Sequence, residues 1–175
     1  MRSWWLDLLP QPEIRKHLLR EEGEVIVDEV AHHWVAYTKA TLYAILGSAL
    51  LLSSLVVDLR IGWVPFALGG LVLAWASHLA LEVHMDRFVV TNMRVFRVHG
   101  VFSQSLATMP LSRILDITVH KPFIGRLLGY GHFIFESAAQ AQGLRDITTV
   151  ARPDERDLTI QRVVQRAGLR GPRIN

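Results

Sequence analysis

Eight histidines and no cysteine pose the first chemical question about this chain: does it hold a metal or a nucleophile? Imidazoles ligate one metal when spacing brings them to a common face, as at i and i+4 on a helix. Here His32 and His33 are adjacent and point apart on a helix or a strand, and His84, His99, His120 and His132 fall on different expected strands. No H-x-x-x-H or HExxH pair occurs, so no metal ligand is expected. The lack of cysteine excludes thiolate sites, disulfides and Cys nucleophiles. Ser48, Ser53 and Ser54 with His78 would make a nucleophile and base only across two apolar segments, and no Gly-x-Ser-x-Gly elbow accompanies them. Serines in such segments more often bond their own backbone. No catalytic residue, no cofactor and no enzymatic activity are expected.

Binding chemistry has better candidates. Gly125, Gly129 and Gly131 punctuate the stretch Gly125–Gly131, where Arg126 could meet an anionic headgroup or a carboxylate. The alternative is a tight turn in which Arg126 pairs with a local Asp or a carbonyl, because the spacing is not a phosphate-loop fingerprint. Arg94 and Arg97, with Arg87, Arg113 and Lys121, form the basic set around it. Each such charge near anionic lipid contributes about 1 kcal/mol. In the expected alternation Arg97 and His99 share a face and Arg94 lies opposite, so the set cannot all meet one surface. A solvated mixed face is the alternative.

Two apolar stretches must position these residues. Ala40–Val57 and Ile61–Leu81 contain no Lys, Arg, Asp or Glu, and only Asp58, Leu59 and Arg60 separate them. A helix rises about 1.5 Å per residue and a bilayer core is about 30 Å thick, so each stretch suffices to span it. A transmembrane helical hairpin is expected, with a three-residue turn and both flanks on one side. Positive charge is denser at Arg20, Lys39, Arg87, Arg94 and Arg97 than at Arg60, which places both termini in the cytoplasm of a plasma (inner) membrane. Met1–Pro10 carries Asp7 and no long apolar core, so the first span is expected to serve as its own uncleaved targeting signal.

Residues 1–39 form an N-terminal segment. Trp4 and Trp5 are either interfacial anchors or part of a short tail, and Glu24–Val30 is β-branched and reads as a strand. Residues 83–168 change to period two. Met85–Thr91 and Met93–His99 suggest a strand hairpin, Val101–Met109 begins a third strand, and Ile114–His120 alternates cleanly. His132–Ser137 and Asp146–Val150 read as further strands, with a loop at Ala138–Gly143. Pro153 opens a helix whose Ile160, Val163, Val164 and Ala167 recur at helical spacing, with Gly168 as its stop and 169–175 as a tail.

Four stretches in order carry a family likeness: Thr91-Asn92-Met93-Arg94, Gly100-Val101-Phe102, Pro110–Asp116 and Gly125–Gly131. Over Val83 to Ala167 the chain resembles the bacterial pleckstrin-homology-like domain of the membrane-flanked type, in which a hairpin precedes the domain. The resemblance implies a bent antiparallel sheet closed by a C-terminal helix, and brings neither a catalytic residue nor a common ligand. The expected class is therefore an α+β membrane protein: a transmembrane hairpin plus a small antiparallel β-sheet or barrel, PH-like and capped by the C-terminal helix. Its expected partners are the lipid bilayer, anionic lipid headgroups, and a protein partner or a second copy, with no nucleic acid. The other function class that fits is a structural subunit assembled through the hairpin.

Overall fold

The computed structural model of the protein describes residues 14–58, 60–137, 144 and 146–169. They form two compact units, one drawn from the chain up to His33 and from Met85 onward, the other Trp34–His84. The Trp4 and Trp5 segment and the loop at Ala138–Gly143 lie outside the described residues.

The Trp34–His84 unit is a helical pair. A 3-10 turn at Trp34–Tyr37 leads into α1 (Thr38–Ser53), and α2 runs Trp63–Met85. The 3-10 turn with α1 (Trp34–Ser53) and α2 are each long and apolar enough to cross a bilayer, and few of their residues are buried. They end elsewhere than the charges suggest. The Ser53 and Ser54 hydroxyls bond the carbonyls of Leu50 and Leu51, and the connection occupies residues 54–62 rather than three residues. At the other end Glu82 ends the apolar run but not the helix, which continues to Met85. Gly47 and Gly69 abut at the crossing: a Cβ on Gly69 would sit 2.9 Å from the Gly47 carbonyl, and one on Gly47 would sit 2.8 Å from Leu73. Gly70 faces open space. Packing of helix on helix thus uses one glycine from each.

The other unit is a bent antiparallel sheet in two parts. Strands β1 (Ile26–Ala31), β2 (Arg87–Thr91), β3 (Arg94–His99) and β4 (Ser105–Pro110) pair in that order. Strands β5 (Ile114–His120), β6 (Tyr130–Ser137) and β7 (Asp146–Ala151) form the second part. The two parts join where His32 pairs with Val150 and the His33 N–H donates to the Thr149 carbonyl at 2.7 Å. The sheet therefore reaches outside residues 83–168, because β1 precedes the helical pair and pairs with β2, which follows it, from Ile26↔Thr91 to Ala31↔Arg87.

Period two explains the core. Phe88, Val90 and Val95 point inward with Phe133, Phe135, Ile147 and Val150. Helix α4 (Pro153–Leu169) lays Ile160, Val163 and Val164 on that core, and runs through Gly168. The opposite face of the first sheet is not left to solvent. Val89, Phe96 and Val98 are covered by Ile14, Leu18 and Ile26, so β2 is buried on both faces. Each such fully buried side chain contributes about 1.5–3 kcal/mol.

Candidate functional site

Two of the candidate arginines are occupied inside the fold. Arg94 and Phe96 share the outer face of β3, with the guanidinium 5.5 Å from the ring centroid. Arg94 Nε donates to Glu24 Oε1 at 2.9 Å and Nη2 to Glu24 Oε2 at 3.1 Å. The Thr91 hydroxyl donates to Glu24 at 2.8 Å and accepts the Arg94 N–H at 3.0 Å, while the Leu19 N–H donates to Glu24 Oε2 at 2.7 Å. Asn92 completes the contact by accepting the Val25 N–H and donating to the Gly23 carbonyl. The Thr91–Arg94 turn is thus a socket for Gly23–Val25. Burial pushes the Glu24 carboxyl up, but the hydrogen bonds from Arg94, Leu19 and Thr91 outweigh it and hold it below its ordinary pKa.

Arg97 lies on the opposite face of β3 and forms a second clamp. Its Nε and Nη2 meet Asp86 Oδ1 and Oδ2 at 2.8 and 2.6 Å, the two-pronged geometry that suits guanidinium to carboxylate. His32 bridges Asp86 Oδ2 and the Thr148 carbonyl, both at 2.8 Å. Burial raises Asp86, yet the bonds from Arg97 and His32 hold it well below the usual carboxylate range, and Asp86 in turn raises Arg97. A third pair, Arg156 with Asp28 at 2.6 Å, ties α4 to β1. Each of the three clamps joins a residue before the helical pair to residues after it: Glu24 to Arg94, His32 to Asp86 and Asp28 to Arg156.

The glycine-rich stretch is not a loop. Phe123–Leu128 forms a short helix, α3, between β5 and β6. Gly125 is buried against the sheet, and a Cβ there would come within 2.5 Å of the Tyr130 carbonyl. Gly129 takes φ +80° and ends the helix, donating its N–H to the Gly125 carbonyl at 2.8 Å. Gly131 lets the strand approach Pro153, where a Cβ would stand 3.0 Å from its ring. Gly125 and Gly131 serve close packing, and Gly129 serves the turn that ends the helix. Arg126 is exposed and pairs with no acid among the described residues. Phe123, Ile124 and Leu127 are exposed beside it.

The six candidate residues do not form one site. Gly125, Arg126, Gly129 and Gly131 gather around α3, and Arg94 and Arg97 face opposite ways on β3 as their alternation implied. Among the described residues no three His, Asp or Glu side chains group to hold a metal. Ser48, Ser53 and Ser54 donate to the carbonyls of Ala44, Leu50 and Leu51. Sequence reading missed Glu24, Asp28, His32 and Asp86 as clamp residues. Only Asp86 had a local signal, because the β2–β3 register Arg87↔Val98 brings it beside Arg97.

A family model for the bacterial PH domain matches residues 42–168, most of the chain. The chain belongs to the bacterial PH domain family. The match takes in α1 from its second turn, all of α2 and strands β2 to β7, and begins after β1. In this bacterial PH domain, the Thr91–Arg94 and Gly125–Gly131 stretches act as a socket for the chain before α1 and as a packed helix. No curated protein and no solved structure matches the chain.

Proposed function

We propose that this chain is a non-enzymatic, membrane-anchored binding module. In this reading the Trp34–His84 hairpin crosses the bacterial plasma membrane and the PH domain stays at the cytoplasmic leaflet, where it engages a protein partner or anionic lipid. The observation that carries the reading is the pairing of β1 with β2 around the hairpin, reinforced by the three clamps. Both ends of the hairpin enter one folded domain, so they belong on one side of any membrane it crosses. The excess of basic residues at those ends over Arg60 favours the cytoplasmic side. Trp34 and Tyr37 before α1, and Trp63 at the start of α2, suit the two interfaces.

The binding half of the reading points to the surface around α3, because Arg94 and Arg97 are already paired and Arg126 is exposed. Alkaline extraction followed by photo-cross-linking in native membranes tests the whole. The chain should stay in the membrane fraction, and adducts should arise from PH-domain positions and persist in Gly70→Leu, whose glycine faces outward. Release by alkali would overturn the anchor. Adducts confined to hairpin positions, and lost in Gly70→Leu, would favour a structural subunit assembled through the helices.

A further inference from the structure

Helix α3 is built inside out for a helix on a soluble domain. Its one buried residue is Gly125, while Phe123, Ile124 and Leu127 are 83%, 59% and 80% exposed. Apolar surface of this kind, contiguous on one short element, marks a contact with something else. The exposure is not a sign of looseness. Gly125 is held against the Tyr130 carbonyl, Gly129 closes the helix in the left-handed conformation, and the Arg126 N–H bonds the Pro122 carbonyl at 3.0 Å. The fold holds this face outward.

Its place in the domain identifies what meets it. Tyr130, two residues after α3, packs at a tilt against His33 with ring centroids 5.7 Å apart, and His33 is fixed to β7 through Thr149. His33 is the last residue before the chain enters Trp34 and the first apolar helix. Helix α3 is only about 9 Å long. The C-terminal end of α3 is thus held, through Tyr130, beside the last residue of its own unit before the hairpin. Arg126 adds an unpaired positive charge, among the described residues, to the same helix. Aromatic and aliphatic side chains beside an exposed cation are what the headgroup zone of an anionic bilayer accommodates.

We propose that α3 is a bilayer-docking wedge. It seats Phe123, Ile124 and Leu127 in the interfacial zone of the membrane that the hairpin crosses, with Arg126 at the lipid phosphates, and so fixes the orientation of the PH domain on that surface. The proposal rests on the hairpin spanning the membrane, as set out above.

The absence of cysteine makes single-site labelling clean. The full chain is reconstituted in vesicles of phosphatidylcholine with a minority of phosphatidylglycerol, carrying spin-labelled lipids. An environment-sensitive fluorophore is placed at Leu127→Cys, at Leu158→Cys on the exposed side of α4, or at Leu71→Cys on α2. Lipids labelled near the headgroup should quench the Leu127 probe several-fold more than the Leu158 probe, and lipids labelled deep in the acyl chain should quench the Leu71 probe. Adding Phe123→Glu should reduce quenching at Leu127 several-fold with the fold intact by circular dichroism. Equal quenching at Leu127 and Leu158, with Leu71 quenched, overturns the wedge and leaves the spanning hairpin standing. An unquenched Leu71 probe overturns both. A Leu127 probe shielded from lipid that cross-links to its counterpart in another molecule also overturns the wedge, in favour of a face between two copies.

Discussion

Arg94 and Arg97 on β3 and Arg126 on α3 are the same residue type in opposite settings. The first two are partly buried and each bonded to a carboxylate: Arg94 holds Glu24 from before α1, and Arg97 holds Asp86, which in turn takes His32 from before α1. Arg126 stands outside, on a helix whose apolar side chains also face out. In the sheet, charge has been taken in to hold two distant segments together. On α3, apolar surface has been left out and is backed by the close approach of Gly125 to the Tyr130 carbonyl. A partly buried guanidinium needs a specific carboxylate, so the clamps reveal where the chain must close. An exposed one beside apolar side chains needs a surface, and so reveals where the domain must dock.

The sharpest way to break that contrast is Asp86→Ala. It leaves Arg97 and His32 without their shared acceptor, and removal of one partner from a buried pair costs about 3 kcal/mol or more. Thermal unfolding of the detergent-solubilised chain should show a clear fall in Tm, whereas Arg126→Ala should leave Tm within the small range of surface changes. A Tm equally insensitive to both would remove the distinction between the two settings.

Gly125→Ala is next. The added Cβ would press on the Tyr130 backbone carbonyl, and overpacking of this kind costs about 1–3 kcal/mol. The expected readout is local: faster hydrogen exchange at Phe123–Tyr130, with β2 and β3 unchanged.

Acid should separate the regions with the smallest effect. Asp86 and Glu24 have folded values below their unfolded ones, so their contribution is present above about pH 4 and is lost only as pH falls through the lowered values. His132 on β6 is lowered by burial and by His120 beside it, and its Nδ1 accepts the Thr149 N–H at 3.1 Å. The unfolded chain binds a proton there first, so stability should begin to fall below about pH 6.5. Unfolding midpoints measured from neutral pH to about pH 5 should decline slightly, and His132→Gln should flatten that decline.

These residues also show how far the sequence could be read. Ile114–His120 is a strand over the residues its alternation marks, and Ile160, Val163 and Val164 pack as their helical spacing requires. Period and hydrophobicity are local signals, and they survive folding. The hairpin ends differ from the expected ones because hydropathy marks where apolar side chains stop, not where backbone hydrogen bonding stops: α1 ends at Ser53 inside the first apolar run, and α2 continues past Glu82 to Met85. The glycines of Gly125–Gly131 suggested a loop because glycine permits one, but close approach to Tyr130 and Pro153 is a tertiary demand that composition does not carry. Glu24 was invisible as a partner of Arg94, since the two lie on opposite sides of the hairpin and meet only once β1 docks on β2.

That docking is the centre of the account, and topology tests it most directly. Single cysteines at Glu29 on β1, Asp58 in the connection between helices, and Glu155 on α4 can be probed in intact cells with a membrane-impermeant maleimide. The account predicts labelling of Asp58→Cys from outside, and of Glu29→Cys and Glu155→Cys only after permeabilisation. Finding the β1 and α4 positions on opposite sides of the membrane, or all three on the same side, would contradict it.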